Sequence, residues 1–190
     1  MRVSREQAED NRRAVVEAAG KLFRERGFDG VGLNELMGSV GLTHGGFYKQ
    51  FASKDALALE ACERALEKGA DGWRRAADAA NAEGKDAYAA LVERYLAPGH
   101  RANVGTGCAF AALAADAARH GPELPRRFEA GIKTYAAILE DAMPDAAPDA
   151  ALATFSTMVG ALLLARAVED EDYARRILAA AAASLLGDKA

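Results

Sequence analysis

The residues best placed to do chemistry lie in one stretch, Gly41-Leu42-Thr43-His44-Gly45-Gly46-Phe47-Tyr48-Lys49-Gln50-Phe51-Ala52-Ser53-Lys54. Phe47 and Phe51 stand four apart, so on a helix they share a face and can anchor it inward. His44, Lys49 and Gln50, with the small Gly45 and Gly46, are then left facing out. Each glycine costs a helix about 1 kcal/mol relative to alanine. A segment that carries this cost on an outer face is suited to close approach by another molecule, and a DNA backbone is the obvious candidate.

Two short helices with a glycine-containing turn between them must hold that segment. Residues 33–39 form the first, with Gly32 at its N-cap and Glu35 where a capping-box acid would sit. Gly41 breaks it, and Thr43 can cap the second, about 44–50. Before them runs a longer amphipathic helix, roughly Ser4 to Arg26, with Val15, Ala18, Ala19, Leu22 and Phe23 on its stripe and Gly27 at its end. This is the composition of a helix-turn-helix, whose second short helix enters the major groove.

The run from Gly41 to Leu57, with Ala18-Ala19, Leu22-Phe23 and Gly27-Phe28 before it, resembles the signature of the TetR family of bacterial repressors. The resemblance covers about 50 residues; the rest matches in helix count, length and the apolar last two helices. It implies a homodimer whose recognition helices enter successive major grooves of a palindromic double-stranded operator. Carried over residue by residue, Thr43 caps the recognition helix and reaches phosphate, and Tyr48 bonds a phosphate through its hydroxyl. His44, Gly45, Gly46, Lys49 and Gln50 face bases or backbone, Lys54 pairs with a phosphate at a helix N-terminus, and Asn34 is a further contact. Val31 replaces a usual Thr, Gln50 a common His and Met37 a small Ala, so the operator sequence stays open. The arginines Arg2, Arg5, Arg12 and Arg13 read as a solvated face rather than a DNA arm.

The remaining chain is helical by periodicity, with about nine helices in all and no strand. Lys54 starts a long helix to about Ala80, and a fifth carries Tyr88, Leu91, Val92, Tyr95 and Leu96. Pro98–Gly107 reads as a loop. Helix six runs from Cys108 to Arg119, helix seven carries Phe128 to Met143, helix eight opens at Pro148, and helix nine carries Ala174 to Leu185. Helix eight is apolar on almost every side, so it is either the central helix of a monomer or half of a dimer interface with helix nine, about 148–187. The fold is therefore expected to be all-α. Residues 1–54 form the helix-turn-helix domain, and 55–190 a helical effector-binding and dimerisation domain.

The resemblance also implies an effector cavity among helices four to eight, coupled to the DNA heads through helix four. Its candidate wall residues are Trp73, Tyr95, Cys108, Phe110, Phe128, Tyr135 and Met158, giving an apolar pocket with a few polar tips. The expected effector is a small apolar or electrophilic molecule that releases a repressor. Cys108, at a helix N-terminus whose dipole lowers a thiol pKa, offers an alternative electrophile or oxidant sensor, or else is a small buried group.

Composition narrows the classes further. The 190 residues carry a net charge of −4, with +2 on residues 1–54 and −6 beyond, a mildly basic head on an acidic body. Met1–Asp10 is charged with no apolar core, and Met158–Ala165 is too short to span a bilayer, so a cytoplasmic protein without a membrane is expected. Cys62 and Cys108 make neither disulfide framework nor zinc site. His44, His100 and His120 are not at ligand spacing, the last two reading as solvent-facing loop residues, so neither metal nor cofactor is expected. No nucleophile elbow, phosphate loop or carboxylate pair appears, which leaves an all-α enzyme or a pure interaction module as remote rivals.

Overall fold

The computed structural model describes residues 4–187, and these are helices joined by turns. The order is α1 (Arg5–Arg26), α2 (Leu33–Ser39), α3 (His44–Phe47), α4 (Lys54–Ala82), α5 (Ala87–Tyr95), α6 (Pro98–Ala102), α7 (Ala109–Ala117), α8 (Glu123–Ala142), α9 (Ala150–Ala167) and α10 (Glu171–Leu186). The helix that periodicity missed is α6, inside the expected loop. Its Pro98 is a breaker in a helix interior, but here it occupies the first turn, where its missing N–H costs nothing.

Local chemistry sets most boundaries. Ser4 accepts from the Gln7 N–H and Ser53 from the Ala56 N–H, fixing the starts of α1 and α4. Gly41 takes φ 71° in the turn between α2 and α3, a conformation that side-chain-bearing residues avoid. Glu35 lies at the capping-box position but pairs with Arg26, because the Gly32 cap has no side chain to reciprocate. α3 ends at Phe47, earlier than expected, and 48–50 continue as a turn.

The small bundle α1–α3 closes over Val15, Phe23, Phe28, Val31, Leu36, Met37, Phe47 and Phe51, all buried. Two of the three departures from the resembled pattern lie here. Val31 is in the core, where an unpaired hydroxyl would be costly. Met37 lies beneath α3, its Cε 3.7 Å from where a Cβ on Gly46 would stand. In the body, α4 packs on α1, α5 and α8, and α9 on α6, α7, α8 and α10. α9 is apolar enough over its 18 residues to meet the composition of a membrane-crossing helix, which the shorter run Met158–Ala165 did not suggest. Its Met158, Leu162 and Ala165 are fully buried in the bundle.

Candidate nucleic-acid interface and the cleft behind it

The outer face of α2–α3 is assembled by its inner one. Phe47 is fully buried and stacks on Phe51 with ring centroids 5.4 Å apart. Burying each ring contributes about 1.5–3 kcal/mol. Arg12 lies 4.7 Å over the Phe51 ring and forms a two-pronged ion pair with Glu60, tying α1 to α4 beneath the face. With that side fixed, Tyr48 is turned out and is 63 % exposed. Asn34, Thr43, His44, Gly45 and Lys49 are exposed around it, with Gly46 and Lys54 half-buried at the margin. His44 Nδ1 is hydrogen-bonded to Asn34 Oδ1, so α2 orients the first residue of α3.

Two expectations change. Thr43 occupies the N-cap position but its hydroxyl makes no cap bond, so it is free to meet another group. Gln50 turns its amide oxygen inward. It is half-buried and its Oε1 is buried without a hydrogen-bond partner, because α3 has ended and the turn at 48–50 carries the side chain inward. The N-terminal arginines are engaged locally, Arg5 with Glu9, Arg13 with Asp10 and Arg12 with Glu60; Arg2 lies outside the described residues.

The expected effector wall divides in two. Trp73, Tyr95, Cys108 and Tyr135 meet around a cleft of about 480 Å³ between α4, α5, α6 and the start of α7. Phe110, Phe128 and Met158 do not line it. They are core, because Phe110 packs edge-on against Phe128, Tyr135 and Phe155 at 5.1–5.5 Å and fills the space a cavity would need. The cleft is also less apolar than expected, since Arg24, Lys68, Arg75, Arg94 and His100 share its lining. These residues come from four helices, α1, α4, α5 and α6. A partial signal was available in α4, where Lys68, Gly72 and Arg75 follow helical spacing on one face.

His100 is not a solvent-facing loop residue. Its Nδ1 donates to the Tyr95 carbonyl at 2.7 Å and its Nε2 accepts from the Cys108 N–H at 3.0 Å, which uses both nitrogens of the neutral ring. Burial lowers its pKa, and the nearby Arg166 and Arg94 lower it further. His120 is likewise held, bonded through Nδ1 to the Asp116 carbonyl and packed 5.0 Å from the Phe28 ring; that carbonyl and Asp29 raise its pKa. Cys108 occupies the N-cap position of α7 without a side-chain cap bond, and burial pushes its thiol up, outweighing the hydrogen bonds and the Arg166 charge that favour the thiolate. Cys62 is core, its pKa pushed up to about 12 by burial.

The small bundle α1–α3, with its exposed, cation-bearing turn, has a helix-turn-helix arrangement and is set on an all-helical body. Residues 15–61 match the family model of bacterial regulatory proteins, tetR family. That match covers most of α1, all of α2 and α3 and the start of α4. Over 54 residues, 28 % of the chain, it is 33 % identical to the HTH-type transcriptional regulator YerO of Bacillus subtilis, and that match spans 19 % of YerO's length. Among solved structures it is similar to reduced NemR of E. coli (TM-score 0.78, 20 % identity, 93 % of this chain and 95 % of that one). A TetR regulator of Chloroflexus aurantiacus is also similar (0.78, 24 %, 96 % and 97 %), as is AibR in complex with isovaleryl coenzyme A and operator DNA (0.62, 16 %, 92 % and 97 %). These likenesses establish the fold over nearly the whole chain.

Proposed function

We propose that the chain is a homodimeric, ligand-responsive repressor that holds a palindromic operator with residues 1–54 and senses a small molecule with residues 55–190. The observation that carries this reading is the contrast at α3: Tyr48 is 63 % exposed beside a Phe47 that is fully buried and a Phe51 that is 4 % exposed. A phenol is held out on a rigid base, between the exposed Thr43, His44 and Lys49. Tyr48, Thr43 and Lys54 contact phosphates, while Asn34, His44 and Lys49 reach towards base edges. Gly45 and Gly46 keep the surface flat, and Gln50 acts as support.

Pairing through α9 and α10 sets the spacing of the two heads. Leu163 and Leu164 are 45 % and 56 % exposed on α9, and Gly160 leaves open space where a Cβ would stand. A second copy covers these apolar groups with small-residue contacts. The effector occupies the cleft at Trp73 and Tyr95, favouring one head spacing over another by its differential affinity. AibR, of the same fold, has been crystallised with an organic ligand and operator DNA together. The thiol-sensor alternative has less support, because burial disfavours the Cys108 thiolate. Selection of bound duplexes from genomic fragments, followed by titration over a salt series, tests the proposal. A two-fold-symmetric sequence whose affinity falls steeply with salt is expected; equal binding to all duplexes overturns it.

A further inference from the structure

Arginines and lysines with no carboxylate within 4 Å are not scattered evenly over the molecule. Among the described residues they gather in two places. Lys49 and Lys54 are on the head, and Arg24, Lys68, Arg75 and Arg94 line the α4–α5 cleft. Arg166 is close behind, its charge felt at both Cys108 and Tyr95; Lys21 and Arg176 are the exceptions. The cleft lining contains no Asp or Glu. The neighbouring α4–α8 groove, about 410 Å³, is the opposite case. It holds Glu63, Glu67 and Asp71, and its cations are neutralised, Arg74 by Asp71 and Arg127 by Glu63, each at 3.0 Å.

In a chain of net charge −4, four cations around one cleft without an acidic partner repel one another, and an entering anion relieves that repulsion. The cleft also has an apolar wall. Trp73 packs edge-on against Tyr95 at 5.6 Å and Tyr135 at 4.8 Å. Tyr95 is 3 % exposed and lines the cleft, and its Oη is buried beside the Cys108 thiol with no oxygen or nitrogen partner. A thiol is only a weak acceptor, so a ligand oxygen would satisfy this hydroxyl better.

We infer that this cleft takes a small organic anion, its carboxylate or phosphate group held by Lys68, Arg75 and Arg94 and its apolar body lying against Trp73 and Tyr95. Two arginine forks suit the planar oxygens of either group. A volume of about 480 Å³ suits a molecule of metabolite size. The inference rests on reading the cleft as the effector site and gives that effector an acidic head group. Such an anion also comes within the field of Arg24, which joins α1 to the body.

Trp73 is the single tryptophan of the chain, so its fluorescence reports on this cleft. The test titrates the full-length protein with octanoate, octyl phosphate, octylammonium and octanol, one chain length with four head groups, below micelle-forming concentrations. Saturable change with octanoate or octyl phosphate, the stronger naming the head group, and at least tenfold weaker response to octylammonium and octanol are expected. Arg75 and Arg94 are exposed at the mouth, so the double variant Arg75→Gln/Arg94→Gln should keep the parent thermal midpoint yet lose at least tenfold in anion affinity. No saturable response to either anion, an equal response to octylammonium or octanol, or an undiminished response in the double variant overturns the inference. Duplex binding by the unliganded protein is measured separately. Its loss alone contradicts the DNA-binding proposal and leaves the anion site standing, whereas an anion that binds without altering duplex affinity removes the effector role.

Discussion

Arg24, in the last turns of α1, donates from both Nε and Nη2 to the Gly105 carbonyl in the loop between α6 and α7, at 2.8 Å for Nε. Gly105 is buried, so this guanidinium satisfies an acceptor that water does not reach. The bond joins the α1–α3 bundle to the loop beside the cleft through one side chain. Burial also lowers the Arg24 pKa, in keeping with a charge held largely away from solvent.

An Arg24→Met variant keeps the apolar stem but strands the carbonyl. Bonds of this charged kind are worth about 1.5–3 kcal/mol, so urea unfolding should show a loss of that order. A loss below about 0.5 kcal/mol would mean the contact is incidental.

His100 and His120 should respond to pH in opposite directions. The folded pKa of His100 is lowered, so its stabilisation is complete above the unfolded value of about 6.5 and is lost as pH falls below it. That of His120 is raised, so its stabilisation is complete below about 6.5 and is lost as pH rises through the folded value. Urea unfolding of His100→Gln and His120→Gln between pH 5 and 8 checks this. The penalty of the first should shrink towards acid and that of the second towards base; parallel curves refute both assignments.

Gly45 separates function from folding. Its φ is not positive, and a Cβ there would meet nothing within 4 Å, so nothing inside the chain requires glycine. Gly45→Ala should therefore leave the protein as stable or stabilise it by about 0.4–1 kcal/mol. It should nonetheless weaken duplex binding several-fold by standing the DNA off. Unchanged affinity would place that surface away from the groove.

Why the head was legible and the cleft was not follows from where each set of residues lies in the chain. Phe47, Tyr48 and Phe51 are neighbours, so a helical turn alone separates anchor from contact. Even there the early end of α3 turned Gln50 inward, a tertiary effect that spacing does not encode. Lys68, Arg94 and Arg24 are brought together only by packing, and each looks like an ordinary surface charge in its own helix. Phe110 and Met158 lie on stripes indistinguishable from that of Trp73, and only contact geometry sorts core from wall.

Gly69 records a close approach between α4 and α8. The Tyr135 hydroxyl donates to the Leu66 carbonyl at 3.3 Å and occupies the place where a Cβ on Gly69 would stand. Gly69→Ala should cost about 1–3 kcal/mol by overpacking. Adding Tyr135→Phe removes the colliding oxygen and should restore much of that loss in thermal unfolding. Simple additivity of the two changes would rule out the collision.

The most direct measurement concerns the face over Phe47. Duplex affinity is compared for the parent, Tyr48→Phe and Lys54→Ala on a selected operator and on several single-base variants of it, each over the same salt series. Both substitutions are expected to weaken every duplex by about the same factor and, for Lys54→Ala, to reduce the salt slope by about one. Affinities equal to the parent in both variants would contradict the placement of this helix against DNA.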